Sequence, residues 1–280
     1  MILVFGKSGQ IASELSKNIQ VKCFGREECD ASINGKAAEI IRYLKPEVII
    51  NAAAYTDVRA AEEFQSEAFQ LNAYLPKEIA EASHKDNIPI IQISTDYVYG
   101  VSNENSIVET HSCNPINEYG KSKLAGERYL QEISSRYIIM RTAWLFSEHS
   151  NNFVKKISHQ TKNEKHPIKV VSDQIGCPSS ARVVADVLMR MAEFLSKKPE
   201  NAEIYNYCGY PPISWADFAK HIIKELSSDI EIEKISTNPN NSPKRQNCSV
   251  LNCEKIKKDF KIEQHFWQDE LKSVLNKSNG

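Results

Sequence analysis

Short apolar runs alternating with helical stretches dominate the first half of the chain, and no feature narrows its fold more. Runs at Ile2–Phe5, Val21–Phe24, 47–51, 88–94 and 136–141 read as strands, and helical periodicity fills 10–18, 35–44, 67–84 and 118–134. Strands that are apolar throughout are covered on both faces. Separated by helices, they imply right-handed βαβ crossovers and a parallel sheet. The expected fold class is therefore α/β, a Rossmann-like doubly wound sheet.

The rhythm changes after about residue 144. Residues 145–179 are polar and read as irregular apart from Ile168–Val171, 182–195 reads as another sheet-covering helix, and 202–207 as a late strand. Residues 238–242 (NPNNS) carry strong turn chemistry. This pattern predicts a nucleotide-binding domain of 1–144 plus about 180–212. A smaller C-terminal substrate-binding lobe takes about 145–179 and 213–280.

Charge and cysteine usage exclude several function classes. Lys+Arg number 35 against Asp+Glu 36, a net charge of -1, so the chain lacks the basic surplus of proteins that hold nucleic acid or anionic membrane electrostatically. No window approaches the ~18–20 apolar residues of a membrane span, and no cationic leader precedes the first strand. The seven cysteines include no CxxC and read as reduced thiols of a cytoplasmic protein. The scattered histidines suggest no metal site.

The first strand runs into Gly6-Lys7-Ser8-Gly9-Gln10-Ile11-Ala12, a GxxGxxA spacing. Glycines suit a tight turn where a pyrophosphate approaches the main chain, and the following helix N-terminus supplies NH groups and partial positive charge. After the second strand stands Arg26, where an acidic residue would bind the ribose 2′-hydroxyl of NAD. An arginine there suits the 2′-phosphate of NADP, so the expected cofactor is NADPH, with NADH use left open.

Tyr119 and Lys123 form a YxxxK pair, one helical turn apart on one face. Such a pair suits a tyrosine that gives or takes a proton, its pKa lowered by the adjacent cation. With 11 tyrosines and 26 lysines in 280 residues, about one such pair is expected by chance, so the motif alone says little. Its context says more. The fourth strand ends at Ser94-Thr95-Asp96-Tyr97 and the third at Asn51-Ala52-Ala53-Ala54, and open α/β folds bind ligands at the C-terminal ends of their strands. A strand-end hydroxyl, a Tyr/Lys pair one helix later and a nucleotide turn at the start describe a short-chain dehydrogenase/reductase.

The segments FGKSGQ, VIINAAAYTDV, ISTDYVYG, NEYGKSKLAGE, RTAWLF, NNF and DQIGCPSS, in this order, resemble dTDP-4-dehydrorhamnose reductases over essentially the whole chain. That family is made of extended short-chain reductases that complete dTDP-L-rhamnose synthesis, a route to cell-surface polysaccharide. The resemblance implies Thr95, Tyr119 and Lys123 as the catalytic trio. Hydride would pass from the nicotinamide to C4 of a 4-keto-6-deoxy sugar while Tyr119 supplies the proton. It also implies Gly6, Lys7, Gly9, Gln10 and Ile11 at the dinucleotide pyrophosphate, Asp30 near the adenine, and Ala52, Ala53, Ala54 and Tyr55 along the cofactor channel. Asp96, Tyr97 and Trp144 would face the sugar. Asn152, Phe153, Gln174, Pro178 and Arg245 would hold the nucleotide diphosphate in the smaller lobe.

The chain departs from the family pattern in three places. Arg59 stands where an aspartate is usual, and Gln246 where a proline follows the arginine. Some relatives bind magnesium between subunits through three glutamates. Here Glu14 keeps one such position while Arg182 and Lys277 occupy the others, and cations do not ligate a divalent metal. No metal is expected, and a homodimer is left open. Two other readings stand beside the reductase: a sibling acting on another 4-keto-6-deoxy sugar nucleotide, and a non-catalytic regulatory subunit that keeps the fold and pocket. A dehydratase of this fold would need an Asp-Glu pair where Asp96-Tyr97 stands.

Overall fold

A computed structural model of the protein describes residues 1–101, 106–163, 166–198, 200–238, 240 and 242–278. The chain opens with β1 (Ile2–Phe5), α1 (Gln10–Leu15), β2 (Val21–Phe24), α2 (Lys36–Leu44) and β3 (Val48–Asn51). Next come α3 (Ala60–Glu63) and α4 (Gln65–Phe69), which continues through a π turn (Gln70–Tyr74) into α5 (Leu75–His84). Then β4 (Ile90–Thr95) ends in a 3-10 turn (Asp96–Val98), followed by α6 (Glu118–Ile133) and β5 (Arg136–Thr142). The second half holds β6 (Leu145–Phe146), α7 (Phe153–Asn163), β7 (Ile168–Val171), β8 (Ile175–Gly176), β9 (Ser179–Ser180), α8 (Ala181–Ser196) and β10 (Asn201–Asn206). It closes with β11 (Ile213–Ser214), α9 (Trp215–Glu225), β12 (Ile232–Ile235), β13 (Cys248–Ser249), α10 (Glu254–Phe260) and α11 (Trp267–Ser278).

Six strands form one sheet in the order β2-β1-β3-β4-β5-β10, and every neighbouring pair is parallel. Strand parity explains the two layers of helix. Ile2 and Val4 point to a core shared with Leu15 of α1 and Val184 and Leu188 of α8. Leu3 and Phe5 point to the opposite core, with Ile41 of α2, Ile79 of α5 and Leu130 of α6. Each such side chain, withdrawn from water, contributes roughly 1.5–3 kcal/mol, so the apolar runs fix which strands lie inside. The strand order reverses between β1 and β3, and doubly wound sheets bind their ligand at that switch point.

A third core gathers Phe146, Val154 and Ile157, Ile168 and Val170, Phe218 and Ile222, and Trp267 and Leu271. Residues 145–179, which feed this core, are less irregular than their composition suggests. Phe153–Asn163 is helical (α7), capped by Asn152, whose Oδ1 accepts from the Lys155 amide at 3.2 Å, and pinned by buried Val154 and Ile157. A short apolar stripe outweighed the polar surface residues. Leu251, Cys253, Ile256 and Ile262 pack instead in the sheet core beside α8. Of the turn segment 238–242, Pro239 and Asn241 lie outside the described residues.

Candidate active site

The glycine turn meets the end of β3 at the switch point. Gly6 sits at φ +115, and a Cβ there would stand 3.0 Å from the Ala52 carbonyl carbon, so a side-chain-bearing residue would be strained and crowded at once. The Ala52 amide donates to the Phe5 carbonyl at 2.8 Å, which fixes the two strand ends together. Above the N-cap of α1, a Cβ on Gly9 would meet nothing within 4 Å. The result is a backbone cradle with small half-buried residues at its floor, Ala52, Ala53 and Ala54. This fits a dinucleotide pyrophosphate laid against main chain.

Around that cradle the other expected cofactor residues take varied positions. Gln10 accepts from Ser147 Oγ at 2.9 Å, so its amide braces the crossover into the second half. Ile11 is buried in the sheet core, leaving its backbone to the turn. Lys7 pairs with Glu28, and Glu28 also accepts from the Gly25 amide at 2.9 Å. The exposed Arg26 lies 3.7 Å from Asp30, whose carboxyl also accepts from the Ser32 amide at 2.9 Å. Two cations and two carboxylates thus alternate at the rim beyond β2. Tyr55 is tied by its backbone to Asn72, which accepts from the Tyr55 amide at 2.8 Å and donates to Ser122 of α6 at 2.9 Å. Asn72 lies in the π turn, and Gly126 lets α6 approach its backbone: a Cβ there would sit 2.1 Å from the Asn72 carbonyl oxygen. Asn72 was not among the residues singled out from the sequence.

Helix α6 begins at Asn117, whose side chain caps the Gly120 amide at 2.8 Å. Tyr119, Lys123 and Glu127 then fall on one buried face, at successive turns. At the end of β4, Thr95 hydrogen-bonds Tyr119, donates to Asp96 Oδ1 at 3.0 Å and accepts from the Tyr97 amide at 3.2 Å. The trio named from the sequence therefore converges at the C-terminal end of the sheet. The hydroxyl of Thr142, in register with Thr95, is buried with no hydrogen-bond partner.

The electrostatics depart from expectation in one respect. Burial pushes the Tyr119 phenol well above its ordinary range, and the Thr95 hydrogen bond only partly offsets this. The Lys123 ammonium donates to the Ile93 carbonyl at 2.7 Å and does not act on the phenol in this arrangement. Burial lowers Lys123 itself to about 8, against the opposing pull of Glu127. Glu127 in turn is held by a buried bidentate pair with Arg141 and by Ser94 Oγ. Sequence reading passed over this pair, although both residues lie in the segments that carry the family resemblance.

A cavity of about 980 Å³ lies mainly in the second half of the chain, with none of the trio in its lining. Asn152, Phe153, Gln174 and Arg245 line it as expected, together with Arg59, Lys156, Lys244 and Trp215. Arg245 hydrogen-bonds Tyr97, whose ring lies 5.5 Å from that of Tyr119, edge to face, and so connects cavity and trio. Pro178 is buried elsewhere, its carbonyl against Gly209. Trp144, at φ 48, is stacked on Trp215 at 3.4 Å and 8° and pressed on Gly176. Trp215, which opens α9 after the capping Ser214, was not singled out from the sequence. Asp96 is turned into protein, both oxygens taken by protein donors.

One further cluster lies outside the cavity lining. Glu14, Glu148 and His149 bring ligand atoms within 4.8 Å of one another. Lys17 sits 2.6 Å from Glu14, and Lys277 sits 3.2 Å from Glu148, so the carboxylates already carry ammonium partners. Residues so far apart in sequence gave no spacing signal.

A doubly wound sheet with a glycine cradle at its switch point, and a Thr/Tyr/Lys set one strand away, defines a dinucleotide-dependent oxidoreductase of the short-chain type. Comparison with known proteins narrows the class. The family model described as RmlD substrate binding domain matches residues 1–279. The dTDP-4-dehydrorhamnose reductase of Aggregatibacter actinomycetemcomitans is 35% identical, covering 98% of this chain and 97% of that protein. Among solved structures, a dTDP-4-dehydrorhamnose reductase from Clostridium acetobutylicum superposes with a TM-score of 0.92 at 31% identity, over 100% of this chain and 99% of that one. The Bacillus anthracis enzyme, solved in complex with NADP, gives 0.89 at 27% identity over 99% and 97%. The chain belongs to the dTDP-4-dehydrorhamnose reductase family.

Proposed function

We infer that this protein reduces the C4 keto group of dTDP-4-dehydro-L-rhamnose to give dTDP-L-rhamnose, with NADPH as reductant. The observation that carries the reading is the convergence of Thr95, Tyr119 and Lys123 at the sheet's C-terminal edge, in a chain that also holds a glycine cradle and a cation-lined cavity. Bound NADPH would supply the hydride. Gly6, Lys7, Gly9, Gln10 and the Ile11 backbone would hold its pyrophosphate, Arg26 its 2′-phosphate, Asp30 its adenosine end, and Ala52, Ala53, Ala54 and Tyr55 its path. Tyr119 donates a proton to the keto oxygen as it gains charge. Burial keeps the phenol protonated beforehand, which is the state a donor must start from. Thr95, bonded to Tyr119, orients the phenol toward the keto oxygen, and the Lys123 ammonium offsets the charge left on Tyr119.

The cavity suits the nucleotide diphosphate. Arg245 offers a bidentate fork to phosphate, and Asn152, Phe153 and Gln174 line the same wall. In this reading Tyr97 and Trp144 border the sugar, and Pro178 shapes the wall from behind. A sibling substrate is the second reading, because Arg59 enters the cavity where the family usually carries an aspartate. We further propose the two-lobe division read from the sequence, with 251–262 folded back onto the sheet domain, a cytoplasmic location and a homodimer. All seven cysteines are free, in keeping with a reducing compartment. No helix among the described residues is long and apolar enough to cross a membrane.

The test is a coupled assay of the purified protein with NADPH and a set of dTDP-4-keto-6-deoxy sugars, product stereochemistry being read by NMR. The reading expects dTDP-L-rhamnose. A different C4 epimer, or preference for another sugar, would favour the sibling reductase. Nucleotide binding without NADPH oxidation would favour the regulatory subunit.

A further inference from the structure

Gln246, between the cavity-lining Arg245 and Asn247, reaches the end of β4. Its side chain is buried, and its Nε2 donates both to Asp96 Oδ2 and, at 2.7 Å, to Ser249 Oγ. Asp96 in turn accepts from Thr95 Oγ1 at 3.0 Å, and Thr95 hydrogen-bonds Tyr119. A continuous chain therefore runs Gln246–Asp96–Thr95–Tyr119. It joins the segment before β13 to the proton donor. The same segment is tied to α6 by Asn117 Nδ2, which donates to the Lys244 carbonyl at 3.0 Å.

Two features set Gln246 apart from a packing residue. Its Oε1 is buried without a hydrogen-bond partner. The amide is thus held for its donor while its acceptor goes unused, which is costly in a buried site. Its partner is a fully buried carboxyl whose other hydrogen-bond partners, Thr95 and Ser249, are uncharged. Among the described residues, the titratable groups that feel that carboxyl are Tyr97 of its own turn and Tyr119 of α6. Lys123 is spent on the Ile93 carbonyl and Arg245 on Tyr97. Ser249, Thr95 and the Gln246 amide each favour the ionised form of Asp96, Ser249 most, and the Gln246 amide also holds Ser249 through its second donor bond.

Resting on the reductase reading above, we propose that Gln246 is a positioning residue for the reduction: it holds Asp96 ionised and oriented, so that Asp96 anchors Thr95 against Tyr119. Burial raises Asp96 to about 6. Ionised above that value, it accepts the Thr95 hydrogen and fixes the oxygen to which Tyr119 is bonded. Protonated, it competes as a donor and the anchor loosens. Removing the Gln246 donor raises the Asp96 pKa further, so the acid limb of the kcat profile moves to higher pH.

The experiment compares wild type, Gln246→Leu and Gln246→Glu. In protein labelled with 13C-aspartate, the Asp96 carboxyl is titrated by NMR, with no substrate present. Gln246→Leu is expected to raise its midpoint by about one pH unit, the scale of one hydrogen bond to a charged group. Gln246→Glu, which sets two carboxyls on one proton, is expected to raise it more. The acid limb of kcat should move by the same amounts, while KM for NADPH and for the sugar nucleotide stays within about twofold at pH 8. An unmoved Asp96 midpoint overturns the proposal, as does a moved midpoint with an unmoved kcat limb. If wild type reduces none of the sugars, the reductase reading fails by itself, and the carboxyl titration still decides whether Gln246 governs Asp96. Should Gln246→Leu fold poorly by its melting curve, the similarly sized Gln246→Glu decides alone.

Discussion

Lys123→Met should make the protein more stable while abolishing efficient turnover. The ammonium is buried on α6, and its pKa falls from 10.5 to about 8, with desolvation as the main cause. At ~1.4 kcal/mol per pH unit, that fall corresponds to a folding cost of about 3 kcal/mol at neutral pH. Methionine fills a similar volume and carries no charge. The bond from Nζ to the Ile93 carbonyl is lost, but that carbonyl still accepts from Gln92 Nε2 at 2.9 Å, so the loss is about 1 kcal/mol. The net gain is about 2 kcal/mol, or roughly 4 °C in Tm for a chain of this size. The sign of the pH dependence follows from proton counts. Between pH 8 and 10.5 the unfolded chain keeps this proton and the folded one has lost it, so wild-type stability rises with pH across that window. The advantage of Lys123→Met should therefore shrink from pH 8 and be gone by about pH 10.5. Melting curves at pH 7 and pH 10 check both points. A Lys123→Met protein that melts below wild type at pH 7, or a gain that is the same at both pH values, would show that burial of this charge is not what the site stores.

Three further outcomes are expected. Tyr119→Phe should cut kcat by roughly 10²-fold or more, the size of a lost general acid, with NADPH affinity by fluorescence titration nearly unchanged. Arg26→Ala should raise KM for NADPH several-fold and barely change it for NADH, since only NADPH carries the 2′-phosphate; equal effects on both would remove Arg26 from the site. His265 is lowered to about 4 by burial, and its Nε2 accepts from the Ser180 amide at 3.0 Å. Between pH 6.5 and 4 the unfolded chain binds this proton and the folded one does not, so stability falls as pH drops through that window. His265→Gln should flatten the loss of Tm across it.

How much of this was readable in the sequence depends on where the information lies. The sheet was legible because its strands are apolar on both faces, and the trio because Thr95 ends a strand while Tyr119 and Lys123 share one helix face. Both signals are local, carried by residues a few positions apart. Helix α7 was not legible, because a two-turn apolar stripe at Val154 and Ile157 was masked by lysines and polar residues that face solvent. Most of what stayed hidden joins distant residues. Gln246 meets Asp96 across 150 positions, Arg141 holds Glu127 from the next strand, and Trp144 stacks on Trp215 of α9. No periodicity encodes such pairs; they exist only after the chain has closed.

They are also the contacts that tune the site rather than define it. In the proposed mechanism the trio and the glycine cradle carry the reduction, and those residues the sequence displays. What sets the state of the trio is its buried surroundings: the carboxyl behind Thr95, the Arg141–Glu127 pair below Lys123, and the desolvation that keeps the Tyr119 phenol protonated. Each depends on packing depth, which a residue type does not carry. A lysine at position 123 is expected to act as a cation one turn from Tyr119. The fold instead parks it on a backbone carbonyl and draws its pKa down toward the working range.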